Sequence, residues 1–271
     1  MYFKINNFKT MGIDLQTITQ LRNQTGAGIS DCKKALDESN GDIDKAIEIL
    51  RKKGEIKAAK KSDRETNEGL VAVARDGQKA AVVVLACETD FVSRNEDFIA
   101  TASDYAKKLL ITPEFDFKAW VEDSIKAELV IKIGENIKLA DFGVIEGAVL
   151  GVYIHSNKKT GAIVALTGGS EELANDIAMH IVAMSPKHLA PENVPAEELE
   201  KEKEIYREQM KNENKPEEII EKIIMGKVNK YYEDVCLLNQ SFIKDDSKKI
   251  SDLLKEAGEG VTIGAFKKFS V

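Results

Sequence analysis

From Met11 to about Gly54, the apolar side chains fall into three short blocks at helical spacing. Leu15, Ile18 and Leu21 mark one face of a first helix. Thr25-Gly26-Ala27-Gly28 interrupts it, and Ser30-Asp31 offers caps for a second helix carrying Cys32, Ala35 and Leu36. Asn40-Gly41 turns the chain, Asp42 can cap, and Ile43, Ala46, Ile47 and Leu50 stripe a third helix. A module of about 45 residues has a small core and gains from packing on a neighbour. Residues 55–67 then form a basic linker, read as helical and solvated. An RNA-contacting arm is the lesser reading, because no aromatic side chains interleave with the lysines.

Beyond the linker the pattern changes from helices to strand hairpins. In residues 68–145, Val71 and Val73 belong to one strand, Asp76-Gly77 to a turn, and Ala80–Ala86 to a strongly apolar second strand. Cys87-Glu88-Thr89-Asp90-Phe91-Val92 follows, and then a helix with Phe98, Ala102, Tyr105, Ala106 and Leu109 on one face. Residues 146–271 repeat the plan. Glu146-Gly147 answers Glu68-Gly69, and Val149–His155 and Ala162–Leu166 form a second pair of strands. The next helix sets Leu173, Ile177, His180, Ile181 and Met184 at the same offsets as the earlier five. A matched helix after a matched hairpin argues for two similar α+β subdomains. The second carries an insertion at 197–236, two charged helical stretches split at Lys215-Pro216 and read as an antiparallel, coiled-coil-like hairpin. After it, Ile250, Leu253 and Leu254 mark a helix, and Val261–Val271 reads as a strand. The fold class is therefore α+β, with an N-terminal three-helix module of ubiquitin-associated-like size and layout, two similar subdomains and a helical hairpin.

Composition narrows the chemistry. A net charge of −7 argues against wrapping a nucleic acid, which demands neutralised phosphates. No stretch approaches the ~20 apolar residues of a membrane span. Met1–Thr10 has no signal-peptide core; its acid-free lysines suit a transit-peptide fragment or a plain tail, with Met11 an equally good start. Cys32, Cys87 and Cys236 are odd in number and far apart, which suits reduced thiols and a cytoplasmic setting. His155, His180 and His188 form no zinc pattern, and no nucleotide or metal cofactor is expected. Gly26-Ala27-Gly28 lacks the residues of a phosphate loop and reads as a helix connector. Gly168-Gly169-Ser170 is followed by Glu171-Glu172, which would repel an anion, so it reads as a turn and cap. His180 lies on an apolar helix face with no designated nucleophile or carboxylate, as a buried or interface histidine would. No residues support an enzyme. Thr89-Asp90-Phe91-Val92 admits two readings. Either Asp90 caps a turn and Phe91 packs in the core, or Phe91 protrudes as an aromatic anchor for a partner.

Several segments in order resemble the elongation factor Ts family. They are Thr25–Gly28, Asp31–Leu36, Gly41-Asp42 with Lys45-Ala46, Thr89–Val92, Lys132–Asn136, Ala178–Ile181 and Leu238–Gln240. The resemblance runs from Met11 onward and implies a non-catalytic guanine nucleotide exchange factor. It implies binding to elongation factor Tu, GDP-bound and nucleotide-free, with no direct nucleic acid and no membrane. In that family's mechanism the segment matching Thr89, Asp90, Phe91 and Val92 wedges beside the partner's nucleotide site, disturbs its Mg2+ and releases GDP. Under the resemblance, Phe91 is expected to be exposed. Ser241 stands where proline is expected before Phe242, and a further C-terminal helix of longer members is expected to be missing after Val271. The rival reading is a ubiquitin-associated-like adaptor or ribosome-associated nascent-chain factor, which would not need the Thr89–Val92 segment.

Overall fold

The computed structural model describes residues 13–112, 116–210 and 216–271. The alternative readings of Met1–Thr10 and the loop at Lys215 lie outside them. The helices and strands run in order as α1 (Leu15–Thr25), α2 (Ile29–Glu38), α3 (Ile43–Lys61), β1 (Glu68–Asp76), β2 (Lys79–Cys87), α4 (Asp90–Ser93) and α5 (Glu96–Ile111). Next come α6 (Phe117–Ser124), a π-helical turn (Ile125–Leu129), α7 (Val130–Ile133), β3 (Lys138–Glu146), β4 (Val149–Ile154), β5 (Thr160–Leu166) and α8 (Glu171–Met184). The chain finishes with α9 (Ala196–Met210), α10 (Glu217–Val235), β6 (Ser241–Phe242), β7 (Asp245–Lys249), α11 (Ile250–Ala257) and β8 (Ile263–Ser270). The class is α+β. Two compact units result, each gathered from separated segments. One takes in described residues of Met1–Gly69, Leu85–Ile99 and Glu114–Ala140, and the other those of Leu70–Val84, Ala100–Pro113 and Asp141–Val271.

In the first unit, Asp14 and Asp42 cap α1 and α3, accepting from Thr17 N at 2.6 Å and Lys45 N at 3.1 Å. The expected caps Ser30 and Asp31 do not cap α2. The helix starts at Ile29 with Gly28 as its N-cap and no side-chain cap, and Asp31 instead pairs with Lys57 at 2.8 Å. Ile18, Leu21, Ala27, Cys32, Ala35, Leu36, Ala46 and Leu50 form a small core, against which Ile131 of α7 also packs. The module thus borrows a side chain from eighty residues downstream, as its size requires.

The third helix does not stop at Gly54. It continues to Lys61 and absorbs much of the basic linker, whose Lys57 pairs with Asp31, while Lys53 just before it pairs with Glu38. Gly54 is a close approach rather than an end. A Cβ there would sit 2.6 Å from the Lys126 carbonyl oxygen and 2.6 Å from Ile131, so α3 crosses the π-helical turn at backbone distance.

The second unit is organised by β5. Its alternate residues Ala162, Val164 and Leu166 face a core made with α8, Leu237, Phe242 and α11. Ile163 and Ala165 face the other way, onto Val71, Ala80, Val82, Val84, Leu150 and Phe269. Burial on both faces explains a continuous apolar run in an antiparallel strand. The sheet orders are β1-β2-β3 and β4-β5-β8, so in each a hairpin's second strand also pairs with a strand that arrives after intervening helices. β3 escaped the sequence pattern because none of its side chains is fully buried.

The α9–α10 hairpin is antiparallel. Glu198 meets Tyr231 near the base, and Tyr206 and Gln209 meet Lys227 further out. At the base, Val194, Tyr231, Val235 and Cys236 are buried together.

Gly54→Ala should destabilise the protein by about 1–3 kcal/mol, since a methyl against a backbone oxygen outweighs the ~1 kcal/mol alanine gains in a helix. Gly226→Ala in α10, where no atom lies within 4 Å, is the matched control and should stabilise. Urea unfolding of both variants checks this; a stabilising Gly54→Ala would refute the close crossing.

Candidate functional site

The apolar run of β2 ends at Cys87, and the chain must leave the sheet there. Thr89 keeps an extended backbone and caps the single turn α4, its hydroxyl accepting from Val92 N at 3.4 Å. Asp90, first in the turn, pairs with Arg94 at 3.1 Å, and Ser93 donates to the Asp90 carbonyl at 3.0 Å. Ser93 is buried and Thr89, Asp90 and Val92 are partly buried, which leaves Phe91 facing outward. Its side chain is 83 % exposed, the most exposed large apolar residue among those described. The core reading of Phe91 is therefore wrong. The turn places residues 91 and 93 on opposite sides, and the small serine takes the inward place.

So short a helix does not hold itself, because nucleation fixes many dihedrals for few hydrogen bonds. Here the Glu135 carboxylate holds its start. One oxygen accepts from Glu88 N and Thr89 N, both at 3.0 Å, and the other from the Thr89 hydroxyl at 2.6 Å. The exchange is reciprocal, since the Glu88 carboxylate accepts from Asn136 N at 2.6 Å and from Arg64 at 3.3 Å. Asn136, itself buried, donates through its amide to the carbonyls of Arg64 at 2.8 Å and Ser62 at 3.4 Å, just past α3. The bond from Asn136 N, aided by Arg64, holds the Glu88 carboxyl below its ordinary value of 4.5 against the opposing effect of burial. Lys61 donates to the Gly134 carbonyl, and Lys132 lays its stem across Gly26 and pairs with Asp97 at 2.8 Å. Lys132–Asn136 thus touches α1, the end of α3 and the Phe91 turn, a convergence that sequence spacing does not reveal.

A second pair of sequence segments also meets. His180 and Gln240 are fully buried, and the Gln240 amide donates to the Asp234 carbonyl at 2.8 Å. Its oxygen therefore accepts from His180 Nε2 at 3.0 Å, and the ring lies 6.1 Å from Phe242. Burial lowers the His180 pKa from its ordinary 6.5, opposed by the Gln240 bond. This is a core histidine. The two glycine loops are helix ends as read: Gly26 closes α1 in the left-handed region at φ 68°, and Ser170 caps α8, accepting from Leu173 N at 3.1 Å. Cys32, Cys87 and Cys236 are buried thiols outside any disulfide. No described helix is long and apolar enough to cross a membrane.

Comparison with known proteins finds relatives over most of the chain. A family model described as elongation factor TS matches residues 88–271. The chain is 44 % identical over 278 residues to elongation factor Ts of Hydrogenobaculum sp. (strain Y04AAS1), covering 96 % of this chain and 99 % of that one. It is 41 % identical over 280 residues to elongation factor Ts of Clostridium botulinum (strain Eklund 17B / Type B), covering 95 % and 92 %. The counterpart from Marinobacter nauticus is 44 % identical over 246 residues, covering 89 % and 85 %.

Both lowered pKa values make acid destabilising. The unfolded chain protonates His180 as pH falls below 6.5 while the folded protein resists, so the stability it contributes is complete above that pH and lost on going through the lower folded value. Glu88 repeats this below 4.5. Urea unfolding from about pH 7 to about pH 5 should show a fall in stability that His180→Gln flattens. An identical slope in both proteins would contradict the assignment.

Proposed function

The chain belongs to the elongation factor Ts family of translation elongation factors, and from that premise we propose that it is the nucleotide exchange factor for elongation factor Tu. In this reading the protein acts by binding alone and catalyses no chemical step. The three-helix module docks on the partner, for which it has exposed Leu15, Ile29 and Ile56 to offer. Thr89, Asp90, Phe91 and Val92 enter beside the nucleotide site of the GDP-bound partner, disturb its Mg2+ and let GDP leave, so that GTP can bind. The setting is the cytoplasm.

The observation that carries this reading is the exposure of Phe91 on a turn whose start is held by the Glu135 carboxylate. An aromatic side chain left in water at 83 % exposure gains its free energy only when a partner covers it. An adaptor working through the three helices gives this ring and its supports no task. Accelerating release a thousandfold requires ~4 kcal/mol of barrier, and burying one phenylalanine supplies about 1.5–3 kcal/mol. Phe91 therefore acts together with the other docking surfaces and with the loss of the partner's metal contacts. Because coupling is reciprocal, GDP weakens binding of this protein by the factor by which this protein weakens GDP.

Phe91→Ala should leave the melting temperature nearly unchanged and abolish most of the stimulated release of a fluorescent GDP from elongation factor Tu. A core phenylalanine would instead cost ~3–5 kcal/mol of stability on truncation. A variant as active as the wild type would overturn the wedge.

A further inference from the structure

Glu135 lies 44 residues beyond Phe91 in the chain and has no part in the reading just given. We infer that Glu135 is a positioning residue for Phe91, acting through Thr89, and that its negative charge keeps the aromatic turn ready to dock. The inference rests on the exchange reading for its functional consequence.

The argument follows the hydrogens. An ionised carboxylate only accepts, and Glu135 meets three donors: two successive backbone N–H groups and the Thr89 hydroxyl. Once that hydroxyl's hydrogen points at Glu135, a lone pair remains for Val92 N. The carboxylate therefore sets the direction of the cap that starts α4. Bonds to an ionised acceptor are roughly twice as strong as neutral ones. Without them, a turn of four residues keeps the Thr89 cap on Val92 N, the Cys87 thiol on the Thr89 carbonyl, the Ser93–Asp90 and Asp90–Arg94 contacts and its own few backbone bonds. A ring presented in a fixed pose loses less entropy on docking than one on a loose loop. Asn136 N, bound to the Glu88 carboxylate, keeps residues 135 and 136 in register with 88 and 89, so the glutamate is held as well as holding.

Glu135→Gln tests this because it keeps the length, removes the negative charge and leaves one acceptor oxygen where there were two. Stimulated GDP release from elongation factor Tu is measured for wild type, Glu135→Gln, Phe91→Ala and the double variant. Amide hydrogen exchange at Glu88, Thr89 and Val92 is followed in the free proteins. Loss of charge-assisted bonds should slow release about tenfold or more. The double variant should be no slower than Phe91→Ala alone, since a residue acting through the ring has nothing left to position. The three amides should exchange faster in Glu135→Gln, and the urea midpoint should move much less than release. Wild-type release by Glu135→Gln, a further loss in the double variant, or unchanged amide protection would each overturn the inference. Should wild type itself fail to stimulate release, the exchange reading falls, and amide protection alone decides whether Glu135 holds the turn.

Discussion

The structure around Phe91 depends on one electrostatic constraint: where β2 ends, backbone amides must find acceptors, and Glu135 supplies them. Buried or half-buried N–H groups left unpaired cost free energy comparable to a lost hydrogen bond. A single carboxylate meets Glu88 N, Thr89 N and the Thr89 hydroxyl, and the Glu88 carboxylate returns the favour to Asn136 N. With the backbone satisfied on the inner side, the outer side is free to carry an apolar ring that contributes nothing to folding. An exposed Phe91 is tolerable because the turn's stability comes from polar groups on its other flank.

The three-helix module follows the same economy. Its own apolar residues make too small a core, and Ile131 completes it. That contact exists because position 54 has no side chain, which lets α3 approach the π-helical turn at backbone distance. The bonds from Lys61 to the Gly134 carbonyl and from Asn136 to the Ser62 and Arg64 carbonyls continue the same seam. The basic stretch that looks like a solvated linker is thus partly a helix whose lysines have protein partners. In the second unit, β5 is covered on both faces, and the buried His180–Gln240 pair ties α8 to the chain returning from the hairpin. A buried polar pair of this kind stabilises only while both partners are present.

Much of this was legible in the sequence because it is local. Helical spacing in Ile18, Leu21, Ala35, Leu36, Ala46 and Leu50 reports which face is apolar, and short apolar runs bounded by turns report the β1–β2 and β4–β5 hairpins. Asp42 and Ser170 as caps, Gly26 as a helix end, the repeated hairpin-and-helix plan and the paired helices of the insertion all follow from chemistry within a few residues. The order of the quoted segments by itself points to the family. The residues of the aromatic turn were visible too, as a carboxylate and a large ring where a strand stops.

What tertiary structure alone decided concerns partners distant in the chain. The local pattern left open whether Phe91 faces in or out, because a turn of four residues has no periodicity to reveal its inner side, and only the family resemblance pointed outward; the structure gives the inward place to Ser93. Glycine usually disfavours helix interiors, and only the nearness of the Lys126 carbonyl gives Gly54 a reason to sit inside α3. Asp31 looked like a cap because only the folded chain brings Lys57 to it. β3 was hidden because its side chains are never fully buried, so its place comes from backbone pairing rather than from an apolar run. Local propensity and periodicity therefore determined the elements. Burial, backbone satisfaction and long-range charge decided which way each one faces.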